Sequence, residues 1–588
     1  MSIAVLPFKN MSSNAENEYF CDGITEEIIN ALAKIDALKV TSRTSSFYFK
    51  NKELPISEIG ETLNVSIILE GSVRVAGNII RITAQLIQAE DDFHFWSETW
   101  DRKLENIFEI QDEISLLIAD KIRENSGHFE LQDHLVKKQT EDINAYEYSL
   151  MASFHKNKWN ADDILLAETY FLKAIELDPN HVESIVGLSD SYSFMGMTGV
   201  MSFQEAWSKS NELVNRAMEI DPTNAEIYYQ KANSSFFTEC DFKAALDYAY
   251  KSIQLKPNYV EAQQFLSFLH VLSGKKEIAK KHLDIALGID PLSQETLFFK
   301  AYFDYMTENY DDSLKQLDDC LAVNPKNIPA HAVKTLCLLK MERFDEVIHY
   351  FDDPSIQMVE SEKIGAIALG YAFKGDDENI QKYMDILRER ASTPDGFTED
   401  AFLFMMYVVT GDIESAFQWI EAGIESKASL LLLRYADPVV ETLKSDPRYD
   451  EFYQRLFPDA QHAPSKKKKE LLDNEAVQVY RTKLLDLIQN EQPFLDASLT
   501  LRSLANKVGI HPNQLSWLLN ESIGKSFNEF INGYRVEAFK EHVKNAKNSN
   551  FTLLGMAYDC GFNSKTVFHT YFKKETGLTP SQYVKKVS

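Results

Sequence analysis

Apolar residues recur at helical spacing along most of the chain, and near the carboxyl end one arrangement of them occurs twice. Leu553, Met556, Ala557 and Cys560 mark the buried face of a short helix, and Gly561 supplies the positive-φ freedom that ends it in a turn. Ser564 then suits an N-cap, and Phe568, Tyr571 and Phe572 form the apolar face of a second helix. Lys565, Thr566, His569 and Thr570 fall on its outside, with Lys573 and Lys574 near its end. Upstream, Leu501, Leu504, Ala505, Val508 and Gly509 repeat the first set at an offset of 52 residues, and Leu515, Leu518 and Leu519 repeat the second at 53. The second turn is therefore one residue longer. Pro512 suits the first position of the upstream second helix, where a missing N–H costs nothing. Between the units, Phe527, Phe530, Ile531, Tyr534 and Ala538 predict an amphipathic helix from about Ser526 to Asn545, roughly 30 Å long at 1.5 Å per residue. Its side chains Phe527, Phe530, Ile531 and Tyr534 are expected to bury it against both units.

A different periodicity fills the middle of the chain. Asp178-Pro179, Asp221-Pro222, Lys256-Pro257, Asp290-Pro291 and Asn324-Pro325 each close a helix, at intervals of 43, 35, 34 and 34 residues. Helix pairs with a proline stop at a period near 34 indicate tetratricopeptide repeats. Small residues, Ala174, Ala217, Ser252, Ala286 and Cys320, stand five before each proline, where helices must approach closely, and Leu177, Ile220, Leu255, Ile289 and Val323 stand two before it. The longer first interval points to an insertion at TGVMSFQ, and weaker repeat character continues to about Phe457. Such an array leaves a concave surface that takes a protein or peptide partner, or else acts as a spacer arm. The aromatic residues Tyr228, Tyr229, Phe236 and Phe237 leave core and contact both open, with core the commoner role at helical spacing.

Residues 1 to 126 alternate between strand and helix patterns. Ile3 to Phe8 and Leu38 to Ser42 read as extended, Ile24 to Ile35 and Ile56 to Leu63 as helical, and Asp22 or Thr25 as caps. Ile67 to Val75 and Ile79 to Ile87 form a hairpin around Ala76-Gly77-Asn78. An edge strand at His94 to Thr99 and a helix from Leu104 to Ile122 follow. The runs SIAVLPF, EYFCDGITEEI, TSRTSSF, LEGSVR and RITAQLI resemble the TolB-like amino-terminal domain of some bacterial regulators. The resemblance implies a fold and a bacterial origin, not a reaction. Asp22, Glu26 and Glu27 are better explained by a helix start than by acid/base chemistry, and His94, Trp96 and Trp100 by strand packing than by a pocket.

Helix, glycine turn, helix is a shape that enters a DNA major groove. Residues 470 to 588 resemble the double helix-turn-helix of the AraC-type transcription regulators, through Ala557, Cys560-Gly561-Phe562, Ser564, Phe568, Phe572-Lys573-Lys574, Gly577, Thr579-Pro580 and Tyr583. The resemblance implies that Asn513, Gln514 and Trp517 on the first recognition helix, and Lys565, Thr566 and His569 on the second, contact base edges. Asn and Gln suit adenine and Lys suits guanine. Lys525, Arg535, Lys573 and Lys574 are placed for phosphates.

The expected fold class is multidomain: a small α/β amino-terminal domain over 1–126, an all-α tetratricopeptide solenoid over 140–457, a linker over 458–469 and an all-α double helix-turn-helix domain over 470–588. Charge supports the division. The net charge of −28 separates into +6 from Lys466 onward, including the run Lys466 to Lys469, and −34 before it. A basic terminus on an acidic body suits a module that meets phosphates. Five scattered cysteines without a C-x-x-C pair suggest neither zinc site nor disulfide frame, and fit a reducing compartment. The start MSIAVLPFKN does not read as a signal peptide, and no apolar run reaches the roughly 20 residues of a membrane span, so a cytoplasmic protein is expected. Gly524-Lys525-Ser526 lacks the leading glycine of a phosphate loop, since Leu519 stands there. No catalytic, metal or cofactor motif is found, so the reading is a regulator and not an enzyme. The expected partners are double-stranded DNA and a protein or peptide, with a homodimer left open. The alternative is a repeat scaffold whose terminal module docks protein.

Overall fold

A computed structural model of the chain describes residues 1–12, 18–35, 37–77, 79–103, 107–131, 134–136, 140–356, 358–393, 395–458, 471–545 and 552–587. Asn78, Leu104 and the run Lys466 to Lys469 thus lie outside the described residues. The amino-terminal unit is built on one sheet with strands β1 Ser2–Val5, β2 Lys9–Asn10, β3 Lys39–Val40, β4 Ile67–Ala76, β5 Ile79–Gln88 and β6 Phe93–Lys103. Its order is β3-β1-β4-β5-β6, with β2 also paired to β4. The pairs of β1 and β2 are parallel, and β4, β5 and β6 form an antiparallel meander. Alternate side chains serve two faces. Ile3, Val5, Leu69, Ile80 and Ile82 pack under the helices Glu18–Ala33 and Ile107–Ser126, while Ala4 and Ile68 pack under the helix Ile56–Leu63.

The first helix starts earlier than expected, which moves both proposed caps into its interior. Asp22 pairs with Lys50 at 2.6 Å, and the Thr25 hydroxyl donates to the Cys21 carbonyl at 2.8 Å while accepting from the Phe8 N–H at 3.0 Å. Gly23 lets the helix Ile143–Lys156 approach, since a Cβ there would stand 2.3 Å from Leu150. Trp100 is buried in the sheet's core and His94 is exposed, bonded to Gln85.

Antiparallel helix pairs follow from Ile143–Lys156 with Ala161–Leu177 to Phe397–Val409 with Ile413–Ser426. Ala174, Ala217, Ser252, Ala286 and Cys320 are fully buried where partners cross, whereas Leu177, Ile220, Leu255 and Val323 are exposed. TGVMSFQ is largely the loop between the helices Val182–Met197 and Phe203–Ile220.

The array does not present the open concave face expected of it. It coils until distant turns meet: the Tyr453 hydroxyl donates to the Ser273 carbonyl at 2.8 Å, Phe457 stacks edge-on to Phe242 at 4.9 Å, and the Tyr305 hydroxyl donates to Asp437 at 2.7 Å. The short helix Arg43–Phe47 of the amino-terminal unit closes one side through Ser42 and Ser45, which bond Ile289 and Asp290. A cavity of about 1260 Å³ remains inside. Tyr229 and Phe237 line it and Phe236 is core, so the aromatic pairs divide between the two roles.

Candidate nucleic-acid interface

Two helix-turn-helix units share one rod. In the first, the helix Leu501–Val508 is capped by Thr500, whose hydroxyl accepts from the Ser503 N–H at 3.1 Å, and it ends on Gly509 at φ +80°. The recognition helix Pro512–Trp517 begins with proline as expected, and its helix then widens into a π-turn, Leu518–Ile523, before Gly524. The rod, Phe527–Asn545, is 19 residues long. In the second unit, the helix Leu553–Asp559 is followed by the turn at Gly561 and the recognition helix Lys565–Thr576.

The rod serves its two units with different residues. Phe527, Phe530 and Ile531 belong to the first unit's core with Tyr534 against it, and Val536 and Phe539 belong to the second's with Met556, Phe568 and Phe572. The expectation that Phe527, Phe530, Ile531 and Tyr534 bind both units is corrected accordingly. The units also touch directly. Gly561, at φ +91°, sits where a Cβ would be 2.2 Å from the Phe494 carbonyl oxygen, so side-chain-free backbone is required there for two reasons at once.

Lys565, Thr566 and His569 are exposed on the first turns of the second recognition helix and share a face, with Lys573 exposed one turn on. Lys574 is exposed and pairs with Glu529 at 2.7 Å, a contact of little energetic weight at the surface. Burial works against the Glu529 charge, but the Lys574 ammonium and the Ser526 N–H hold its carboxyl below the ordinary range. Lys525 is exposed beside the rod's start.

Arg535 is placed otherwise than expected. It is buried, donating from Nε to the Phe494 carbonyl at 2.7 Å, from Nη2 to the Asp496 carbonyl at 2.8 Å and from Nη1 to Asn532. Burial lowers the guanidinium to about 10, which leaves it charged at neutral pH. It braces the segment before the first unit against the rod and is 8% exposed, a placement that suits a structural tie better than a phosphate contact.

The first recognition helix is engaged already. Gln514 accepts from the His511 N–H at 3.1 Å as part of a capping box, and Trp517 is half-buried against the unit's core. Asn513 faces the amino-terminal unit: its carbonyl oxygen accepts from the Leu131 N–H at 3.1 Å and from Arg123, and its amide donates to the Leu131 carbonyl at 3.2 Å. Beside it, the Leu501 N–H donates to Glu124 at 2.7 Å and Arg502 stands 3.3 Å from Asp120. Arg123 is 1% exposed; burial pushes its guanidinium below the usual range, against which Asp120 at 2.6 Å favours the charged form. These partners are more than 370 residues from the groups they bind, so no local pattern announces them.

Among the described residues, no group of three or more His, Cys, Asp or Glu could hold a metal, and no helix is long and apolar enough to cross a membrane.

Residues 504–586 match a family described as Helix-turn-helix domain, and residues 1–117 match one described as HilA/YgeH-like transcriptional regulator, second domain. The amino-terminal match is thus to a regulator domain under a different description from the TolB-like one expected. A Rhizobium meliloti (strain 1021) protein, provisionally named adenylate cyclase 3, is 34% identical over 241 residues, which are 39% of each chain. An uncharacterized helix-turn-helix transcriptional regulator, YijO, of Escherichia coli (strain K12) is 34% identical over 87 residues, 15% of this chain and 30% of that one. The chain therefore spans well under half of either relative. A tetratricopeptide repeat protein from Parabacteroides merdae is a structural neighbour at TM-score 0.30 and 14% identity, covering 45% of this chain and 99% of that one.

Proposed function

We propose, for a chain that joins an AraC-type helix-turn-helix domain to tetratricopeptide repeats and a HilA-like regulator domain, that it is a cytoplasmic, sequence-specific DNA-binding transcription regulator without enzymatic activity. Its amino-terminal and repeat units form the input side and hold the first DNA reader closed. Lys565, Thr566 and His569 read bases, and Lys525, Lys573 and Lys574 hold phosphates. Asn513 reads a base only after leaving Leu131 and Arg123, with Gln514 and Trp517 flanking it.

The observation that carries this reading is the pairing at Asn513. A base-reading amide needs both its donor and its acceptor free, and here both are bound. The neighbouring carboxylates act as phosphate substitutes. Glu124 caps the N-terminus of the helix Leu501–Val508 and Asp120 faces Arg502, where an anion is favoured by the orphan N–H groups and the positive end of the dipole. Selecting bound sequences from a randomised duplex library with the full chain tests the reading. A recovered consensus whose affinity falls steeply with salt is expected. Recovery of no consensus, or salt-insensitive binding, contradicts it.

The same contact favours one second reading, a scaffold whose terminal module docks protein, because protein is what the first recognition helix holds in this structure. That reading predicts no enrichment in the library.

A further inference from the structure

The cavity at the centre of the repeats has a wall of consistent chemistry. Inner helices of successive repeats present one face each: Glu261, Gln264, Phe265 and Phe268 from Val260–Leu272, and Glu295, Phe298 and Tyr302 from Gln294–Met306. Spacing of three, four and seven residues puts each carboxylate in the first turn and the rings further along the same stripe. The wall is acidic at one level and aromatic at the next.

Its charges do not balance. Lys156 is bound to Asp190 at 2.7 Å, and Lys256, near Glu261, is paired with Glu226 at 3.3 Å. Glu261 and Glu295 are left to share the field of ammonium groups already engaged. Burial raises both carboxyls above their ordinary range, and the charges of Glu261 and Asp190 raise Glu295 further. Two neutral groups on the same wall are also incomplete. Gln264, 1% exposed, donates its amide to Thr296 at 2.7 Å, and its carbonyl oxygen has no partner among the described residues. Tyr302, 5% exposed, has a hydroxyl without one. A buried acceptor left unpaired is unfavourable, and beside two unbalanced carboxylates the wall is short of a donor bearing positive charge.

We propose that this cavity binds an organic cation, a primary amine or guanidinium on a flat apolar body, with the charged end between Glu261 and Glu295 and the body against Phe265, Phe268 and Phe298. The carboxylates and the Gln264 carbonyl take the N–H donors, and the ring faces attract the cation and cover its apolar part. The cavity is half open and has ample room for a ligand of this kind against one wall. As the identity of the signal, the inference rests on the regulatory reading above; as a binding event it stands without DNA, and the two fail separately.

Calorimetric titration of the full chain with tyramine, 4-ethylphenol and 4-hydroxyphenylacetate tests it, since these share a ring and differ in charge. Tyramine is expected to bind one per chain, 4-ethylphenol at least about tenfold more weakly, and the anion without measurable heat. The double variant Glu261→Gln/Glu295→Gln should melt no lower than the parent and bind tyramine only as weakly as 4-ethylphenol. Equal affinity for all three compounds, a tyramine affinity unchanged in the double variant, or no heat from tyramine at about 10 mM would each overturn the proposal.

Discussion

Side chains of the same type have opposite fates in the terminal module, and exposure decides which. Lys565 and Lys573 stand free on one helix. Lys573→Ala should weaken binding to all sequences alike, and Lys565→Ala should cost about 1–3 kcal/mol at one base pair and relax preference there, as read by the two variants' affinities across a site library. Uniform loss from both would mean that the second recognition helix is misplaced. Arg535 carries the same charge but spends it on carbonyls at Phe494 and Asp496, about forty residues away in sequence, so its position on the rod could not reveal its role. The exposure of Lys565, Thr566 and His569 was legible because an amphipathic helix fixes its outward face from its own apolar residues. Glu295 belongs to the same lesson. In sequence it is an ordinary acidic residue of a first turn; in the fold its carboxyl is raised by burial. A carboxyl with a higher pKa in the folded state binds more protons when folded, so its contribution is largest below the ordinary carboxylate range and is lost as pH rises through the folded value. Glu295→Gln removes that loss. Its Tm gain over the parent should therefore grow between about pH 5 and about pH 8, and a gain that is constant or shrinks with pH would refute the assignment.

Helices with strong periodicity were predicted near their observed places, including the rod at Phe527–Asn545 and the repeat pairs with their buried small residues. The misses share a cause, which is that their determinants are not local. The first helix extends back to Glu18 past a glycine that is there to admit Leu150, and Arg43–Phe47 is a five-residue helix held by the repeats it clasps. The rod's apolar residues turn from one unit's core to the other's along its length, so a single stripe was too simple a description. Gly561 couples rod, turn and first unit. Gly561→Ala adds a Cβ in a left-handed backbone and against the Phe494 carbonyl, and should destabilise the module by about 2–3 kcal/mol, measured by denaturant unfolding. A loss no larger than that of an exposed helical Gly→Ala change would remove the contact between units from the account.

At the scale of the whole molecule, the order of the three units was written in repeat period and charge, but their arrangement was not. Closure of the repeats, the clasp at Ser45 and the capture of Asn513 join segments 180, 245 and 382 residues apart, and no spacing or composition encodes such pairs. Together they set the helix Pro512–Trp517 against the amino-terminal unit, and the proposed control of DNA reading rests on that contact. Footprinting of the full chain on a selected duplex site tests this most directly, alongside Arg123→Leu, which removes one of the two donors to the Asn513 carbonyl and the cation that ties it to Asp120 while keeping apolar bulk. The account predicts that the parent protects one groove segment, and that the variant protects two on one face of the duplex, about one helical turn apart, as a rod of 19 residues requires. Protection of both segments by the parent, with the affinity of the variant, would contradict it.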